Sequence, residues 1–171
     1  MNLAKMYEAQ EKLDKHILEQ ENWFITNIHD KKDLFEKTKL ALLVELGEFA
    51  NTTRCFKHWS KKEKMADDVI LDELADVWHF FLSLGNQMNF RVTIYGDYGY
   101  EFNNMTEALN EAFEWVAFLD FKEVTQNKMW YSGIRNTLYA IAWFYQFTSE
   151  DVEEAYFKKH KINYERQANG Y

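Results

Sequence analysis

Proline is absent from this 171-residue chain, glycine occurs six times and cysteine once. With so few breakers, long helices meet little local resistance. A single thiol, Cys55, closes no internal disulfide, so no disulfide framework supports the fold and a cytoplasmic setting is expected. No run of about 18 apolar residues occurs, so no membrane span is expected. The opening stretch, MNLAKMYEAQEKLDKHI, is charged throughout and is no signal peptide. There is no P-loop, no G-x-S-x-G, no zinc-type Cys/His cluster, no internal repeat and no low-complexity tract. Positive charge is also short. A net charge of −8 argues against holding nucleic acid by bulk electrostatics.

Aromatics, by contrast, make up 18% of the chain, enough for a packed globule. The length suits one domain, residues 1–171. The informative stretch is TKLALLVELGEFANTTR, residues 38–54. Between Leu40 and Ala50 its only charges are Glu45 and Glu48. Three residues apart on a helix, they share a face. A helix apolar on every side is expected to be buried. Buried carboxylates must be paired, protonated or metal-bound. A second apolar segment, VILDELADVWHFFLSL (69–84), repeats the spacing with Glu73 and Asp76. Two such helices face to face would gather four carboxylates, a donor set suited to Mg²⁺. The plain alternative is that these acids cap helices or pair with surface lysines. Asp72, about 40° from Asp76 around the helix, is not excluded as a ligand by spacing.

The rest of the chain reads as more helices. The first spans 2–22, with an apolar stripe of Leu3, Met6, Leu13 and Ile17. Gln10 sits on that stripe, and a solvent-touching helix edge is its ordinary explanation. Residues 23–33 form a connection capped by Asp30 or Asp33, and helix two covers 34–54. In CFKHWSKKEK (55–64), Ser60 and Glu63 make a capping-box pattern, and helix three starts at Lys61 or Asp67 and ends at Gln87. Residues 88–104 read as an irregular loop, with some strand character at 90–95. Helices follow at 106–123, with Thr106 as cap, and from Lys128 or Ser132 to Thr148. The second is so rich in aromatics that a subunit interface is expected there. The last helix starts at Thr148 or Ser149. On it Lys159, Asn163, Arg166 and Gly170 lie within about 60° of arc, a donor stripe suited to phosphate. A solvated terminal helix would look the same.

Taken together, AQEKLD (Gln10, Asp14), VELGE, FKHWS (Trp59), DELADVWHF and the terminal K-x-x-x-N-x-x-R-Q-x-x-G-Y (159–171) give the chain a family likeness. It resembles the all-α dimeric dUTPases of phages, some bacteria and trypanosomatids, relatives of the MazG-type nucleotide pyrophosphatases. The paired acids mark the wider superfamily; the terminal motif is the more specific. The resemblance implies a homodimeric helical bundle that hydrolyses dUTP, and dUDP, towards dUMP. By position it implies Mg²⁺ on Glu45, Glu48, Glu73 and Asp76. Glu45 would be the base that activates the attacking water, with Glu48 its nearest rival. It puts Gln10, His79 and Phe80 at the uracil, with Asp14 at base or sugar and Trp59 closing the pocket. Lys159, Asn163 and Arg166 would grip phosphates, with Tyr156 and Tyr171 nearby. An amide such as Gln10 that donates and accepts at once would match the O4 and N3–H edge of uracil. Two other readings stay open: a dCTP or broader dNTP pyrophosphatase, and a nucleotide-sensing factor that binds a protein partner through the 88–130 region.

Overall fold

The computed structural model describes residues 1–92 and 102–168, except for the side chains of Val124 and Ala168. Among these residues there are six helices and no strand: α1 (Leu3–Gln20), α2 (Ile28–Thr53), α3 (Asp67–Gln87), α4 (Met105–Phe118), α5 (Val124–Phe144) and α6 (Ser149–Ala168). The all-α expectation is met. Of the 90–95 segment expected to have strand character, 93–95 lie outside the described residues, and 90–92 are not strand.

Helix α3 is the axis of the bundle. Its main neighbours are α1, α2 and α6, while α4 and α5 pair with each other, α4 packing on α2 and α5 touching α3 and α1 through Tyr131. Trp78, Phe81, Leu82 and Leu84 are fully buried on it. Gly85 permits the closest approach. A Cβ there would stand 2.8 Å from the Tyr7 ring of α1 and would collide with Tyr131 of α5. The two tyrosines meet each other at 2.8 Å, and the Tyr131 hydroxyl also donates to the Phe81 carbonyl.

Local chemistry moves several helix ends from their expected places. Helix α2 begins at Ile28, not 34, because Asn27 caps it. The Asn27 side chain takes the His29 and Asp30 amides, and Asp30 reaches back to the Asn27 amide. Ser60 does not open α3. Its hydroxyl accepts from the Arg54 guanidinium at 2.7 Å, and α3 starts at Asp67, the later of the two expected positions. Asn104, not Thr106, caps α4. That helix stops at Phe118, and α5 starts at Val124, ahead of the expected Lys128 or Ser132. The Asn127 amide clasps both backbone groups of Asp120, at 3.0 and 2.6 Å, and holds the corner between them. Helix α6 starts as its sequence suggests, with Thr148 and Asp151 bonded reciprocally.

One expectation about exposure fails. Leu40 (61% exposed) and Val44 (50%) project away from the core, so α2 is not buried on every side. Conversely, most α5 aromatics turn inward. Tyr131 is fully buried, and Trp130 packs on Trp115 and Phe118 at 5.0 Å each, leaving Trp143 as the exposed one at 75%. Within 88–130, residues 93–101 lie outside the described residues, and Phe118 and Met129 are exposed.

Candidate active site

Along α3, Glu73, Asp76, Phe80, Ser83 and Gln87 recur at spacings of three, four, three and four, which puts them on one face. That face lies against α2. Glu45 meets Glu73 and Asp76 at one end, and Gln87 donates to Thr38 Oγ1 at 2.8 Å at the other. The two helices are therefore antiparallel. Seven residues of α2 separate Thr38 from Glu45, about 10 Å of helix rise. One groove thus has an acidic end and an apolar end.

At the acidic end, carboxylate oxygens of Glu45, Glu73 and Asp76 all lie within 4.8 Å of one another. Glu48 is exposed and stands outside this triad, although its charge reaches Glu45 and Glu73. Burial, and then the charges of Asp76, Glu48 and Glu73, push the Glu45 carboxyl up to about 7. Burial and the neighbouring acids raise Glu73, and burial raises Asp76. Lys159 supplies the local counter-charge. Its ammonium, nearly buried, sits 2.6 Å from Asp72 and 2.7 Å from Asp76. Burial works against that charge, but bonds to the two aspartates outweigh it and raise the lysine's pKa. One lysine does not neutralise three converging acids. An all-oxygen donor set with surplus negative charge fits a hard divalent cation.

At the other end is a cleft of about 470 Å³. Phe80 and Ser83 of α3, Asp14 of α1, Thr38 of α2 and Trp23 with Phe24 of the α1–α2 connection contribute walls. Its polar wall is wired from behind. The Gln10 Nε2–H donates to Asp14 Oδ1 at 2.7 Å. The Gln10 carbonyl accepts from His79 Nδ1 at 2.7 Å and from the Tyr156 hydroxyl at 3.0 Å. His79 and Tyr156 stack at 4.3 Å. Burial, then the nearby His160, lowers His79 to about 3, so the ring is neutral, and the tautomer that bonds the facing Gln10 carbonyl is the one protonated on Nδ1. Burial lifts Asp14 to about 6, against bonds from Gln10 and Ser83 that hold it down.

A family model described as dUTPase matches residues 2–171. The chain belongs to the all-α dUTPase family. No curated protein matches it. Its enzymatic activity is that of a dUTP diphosphatase. For a dUTPase, a groove with acids at one end and an aromatic-walled cleft at the other matches a substrate with phosphates at one end and a base at the other.

The sequence-selected residues fall into three groups. Glu45, Glu73, Asp76 and Lys159 converge at the acidic end, with Glu48 at its exposed margin. Asp14 and Phe80 line the cleft. Gln10, His79 and Tyr156 come together behind it and form none of its lining; Gln10, far from touching solvent at a helix edge, is only 4% exposed. Trp59 stands 67% exposed against Phe56 and His58 and does not line the cleft of this chain. Asn163 faces Arg166, whose guanidinium reaches its carbonyl at 3.5 Å and whose charge acts on Asp76. Tyr171 and Gly170 lie outside the described residues. Thr38, Ser83 and Gln87 were missed. Extending the Glu73–Asp76 stripe along α3 would have found the last two.

Proposed function

We propose that the chain hydrolyses dUTP, and dUDP, to dUMP with release of pyrophosphate or phosphate, that the reaction requires Mg²⁺, and that the working unit is a homodimer. The convergence of Glu45, Glu73 and Asp76 within 4.8 Å carries the metal part of this reading. Those three, with Glu48 at the margin, would hold the ion. When bound, it supplies charge neutralisation to the phosphate chain and makes water easier to deprotonate. The residues do the rest. Glu45 takes the proton from the attacking water. Lys159, drawn off Asp72 and Asp76 once another cation serves them, turns to phosphate oxygens with Arg166 and Asn163. Phe80 offers its ring to the base, and Trp59 closes that pocket in the assembled enzyme. The exposed apolar pair Leu40 and Val44 on α2, with Trp143 near the end of α5, supports association of two copies.

The test is turnover with pyrophosphate and phosphate detection after metal depletion. Activity on dUTP should vanish in chelator and return with Mg²⁺. Full turnover in chelator, or in Glu45→Gln, would refute the metal and base assignments.

A further inference from the structure

Asp72 immediately precedes Glu73 on α3 but is not among the three carboxylates that converge. We infer that Asp72 is a positioning residue: it keeps the Lys159 ammonium at the acidic end of the groove when another cation engages Asp76, until phosphate oxygens take the lysine over. This rests on the metal reading proposed above.

The order of the acids around α3 carries the argument. Asp76 is about 40° from Asp72 and about 60° from Glu73, while Asp72 and Glu73 are about 100° apart. Asp76 therefore stands between the other two. On one flank it meets Glu73, and Glu45 of α2. On the other it shares Lys159 of α6 with Asp72, the ammonium lying 2.7 Å from Asp76 and 2.6 Å from Asp72. A cation drawn to the α2 flank competes for Asp76 and leaves the bond between Lys159 and Asp72 intact.

The lysine needs such a resting place. Its side chain is 9% exposed, and a buried ammonium without a partner is costly. Its backbone is pinned on both sides. One turn earlier the Tyr156 hydroxyl donates to the Met6 carbonyl at 3.2 Å, and the adjacent His160 donates from Nε2 to the Ala9 carbonyl at 3.1 Å. Helix α6 thus stays on α1, and the lysine side chain is the part that can swing. With one aspartate, a cation that claimed it would drive the ammonium out to water. With two, the lysine passes from a shared bond to Asp72 alone, and only then to phosphate. An ammonium has three N–H donors, so one on Asp72 leaves others for the incoming oxygens.

The experiment follows acetylation of Lys159 by an N-hydroxysuccinimide ester in the full-length protein, read by peptide mass spectrometry. A lysine clamped by a carboxylate reacts slowly, and a released one reacts fast. In chelator, Lys159 should be slow in the wild type, in Asp72→Ala and in Asp76→Ala, because one aspartate is enough to hold it. The double variant should release it, with a rate higher by at least about tenfold. Mg²⁺ without nucleotide should act as loss of Asp76 does: about a tenfold rise in Asp72→Ala and a slow lysine in the wild type. Asp72→Glu should keep the protection. The same set made with Asp72→Asn and Asp76→Asn preserves side-chain shape should alanine disturb the fold. Fast acetylation in Asp76→Ala alone overturns the inference, as does a double variant no faster than Asp76→Ala. An equal rise with Mg²⁺ in the wild type and in Asp72→Ala also overturns it. Indifference of Asp72→Ala to Mg²⁺, with the double variant still released, would sink the metal assignment instead and support the hold of Asp72 on Lys159.

Discussion

The two ends of the α2–α3 groove solve opposite problems. At the cleft end both polar atoms of the Gln10 side chain have partners and the histidine beside it is neutral, although His79 Nε2 and Gln87 Oε1 stay buried without one among the described residues. The acidic end is left in electrostatic debt. Three carboxylates converge on one another, Lys159 pairs with only one of them, and all three are raised from the ordinary carboxylate value. A protein selected only for stability would replace such a cluster, because like charges at this separation cost free energy. The difference teaches which part of the groove is prepared in advance and which part waits for a ligand. The cleft end is ordered by hydrogen bonds, whereas the acidic end carries a charge imbalance of the kind that a divalent cation would resolve.

Breaking the acidic end should have the largest effect. Glu73→Gln should lower kcat/KM for dUTP by about a hundredfold or more, the scale of losing a positioned catalytic group. The same change should raise the melting temperature of the metal-free protein, because it removes one repelling charge. A variant both inactive and less stable would mean that Glu73 is structural. Next comes the cleft. Phe80→Ala removes the ring, and a base–aromatic stack is worth about 1–3 kcal/mol. KM for dUTP should rise by about tenfold, with a smaller change in kcat, checked by steady-state kinetics. Lys159→Met should have a mixed signature that sharpens the comparison. It removes a phosphate contact, so KM rises severalfold, on the scale of one charge-assisted hydrogen bond. Yet it also removes the competitor for Asp76, so metal affinity measured by calorimetry should not fall.

The smallest effect is a pH dependence. Glu45 has its carboxyl raised from 4.5 to about 7 by burial and by its neighbours. A group raised on folding stabilises the protein fully below its unfolded value and loses that contribution as pH climbs to the folded one. The metal-free protein should therefore melt at a lower temperature at pH 7.5 than at pH 5, by an amount reduced by solvent screening at a half-exposed site. Glu45→Gln should flatten that slope. If the wild type is as stable at the higher pH and the variant makes no difference, the acids do not repel as described.

Spacing made much of the site legible. Glu73 and Asp76 were readable because a three-residue step on an apolar helix leaves a carboxylate nowhere else to go, and Glu45 followed from the same argument on α2. Depth was not readable. Gln10, Asp14, His79 and Tyr156 could be gathered from the family likeness, but periodicity gives a direction around a helix and not the distance from its surface, so the burial of Gln10 behind the cleft was not legible. Lys159 fell on a donor stripe, yet spacing within α6 carries no information about Asp72 on α3, 87 residues away. The start of α5 was hidden for a similar reason, since the Asn127–Asp120 clasp is a side-chain contact across a corner. The cap of α2, in contrast, stood in the sequence as Asn27 followed by Asp30 and was simply placed too late.

Everything proposed for turnover depends on the acidic triad being a cation site. Titrating the metal-free wild-type protein with Mn²⁺, followed by electron paramagnetic resonance, tests that directly without substrate. Stoichiometric binding that weakens by about tenfold or more in Glu73→Gln and survives in Asp14→Asn is the expected result. Binding that is absent in the wild type, or indifferent to Glu73, would contradict it.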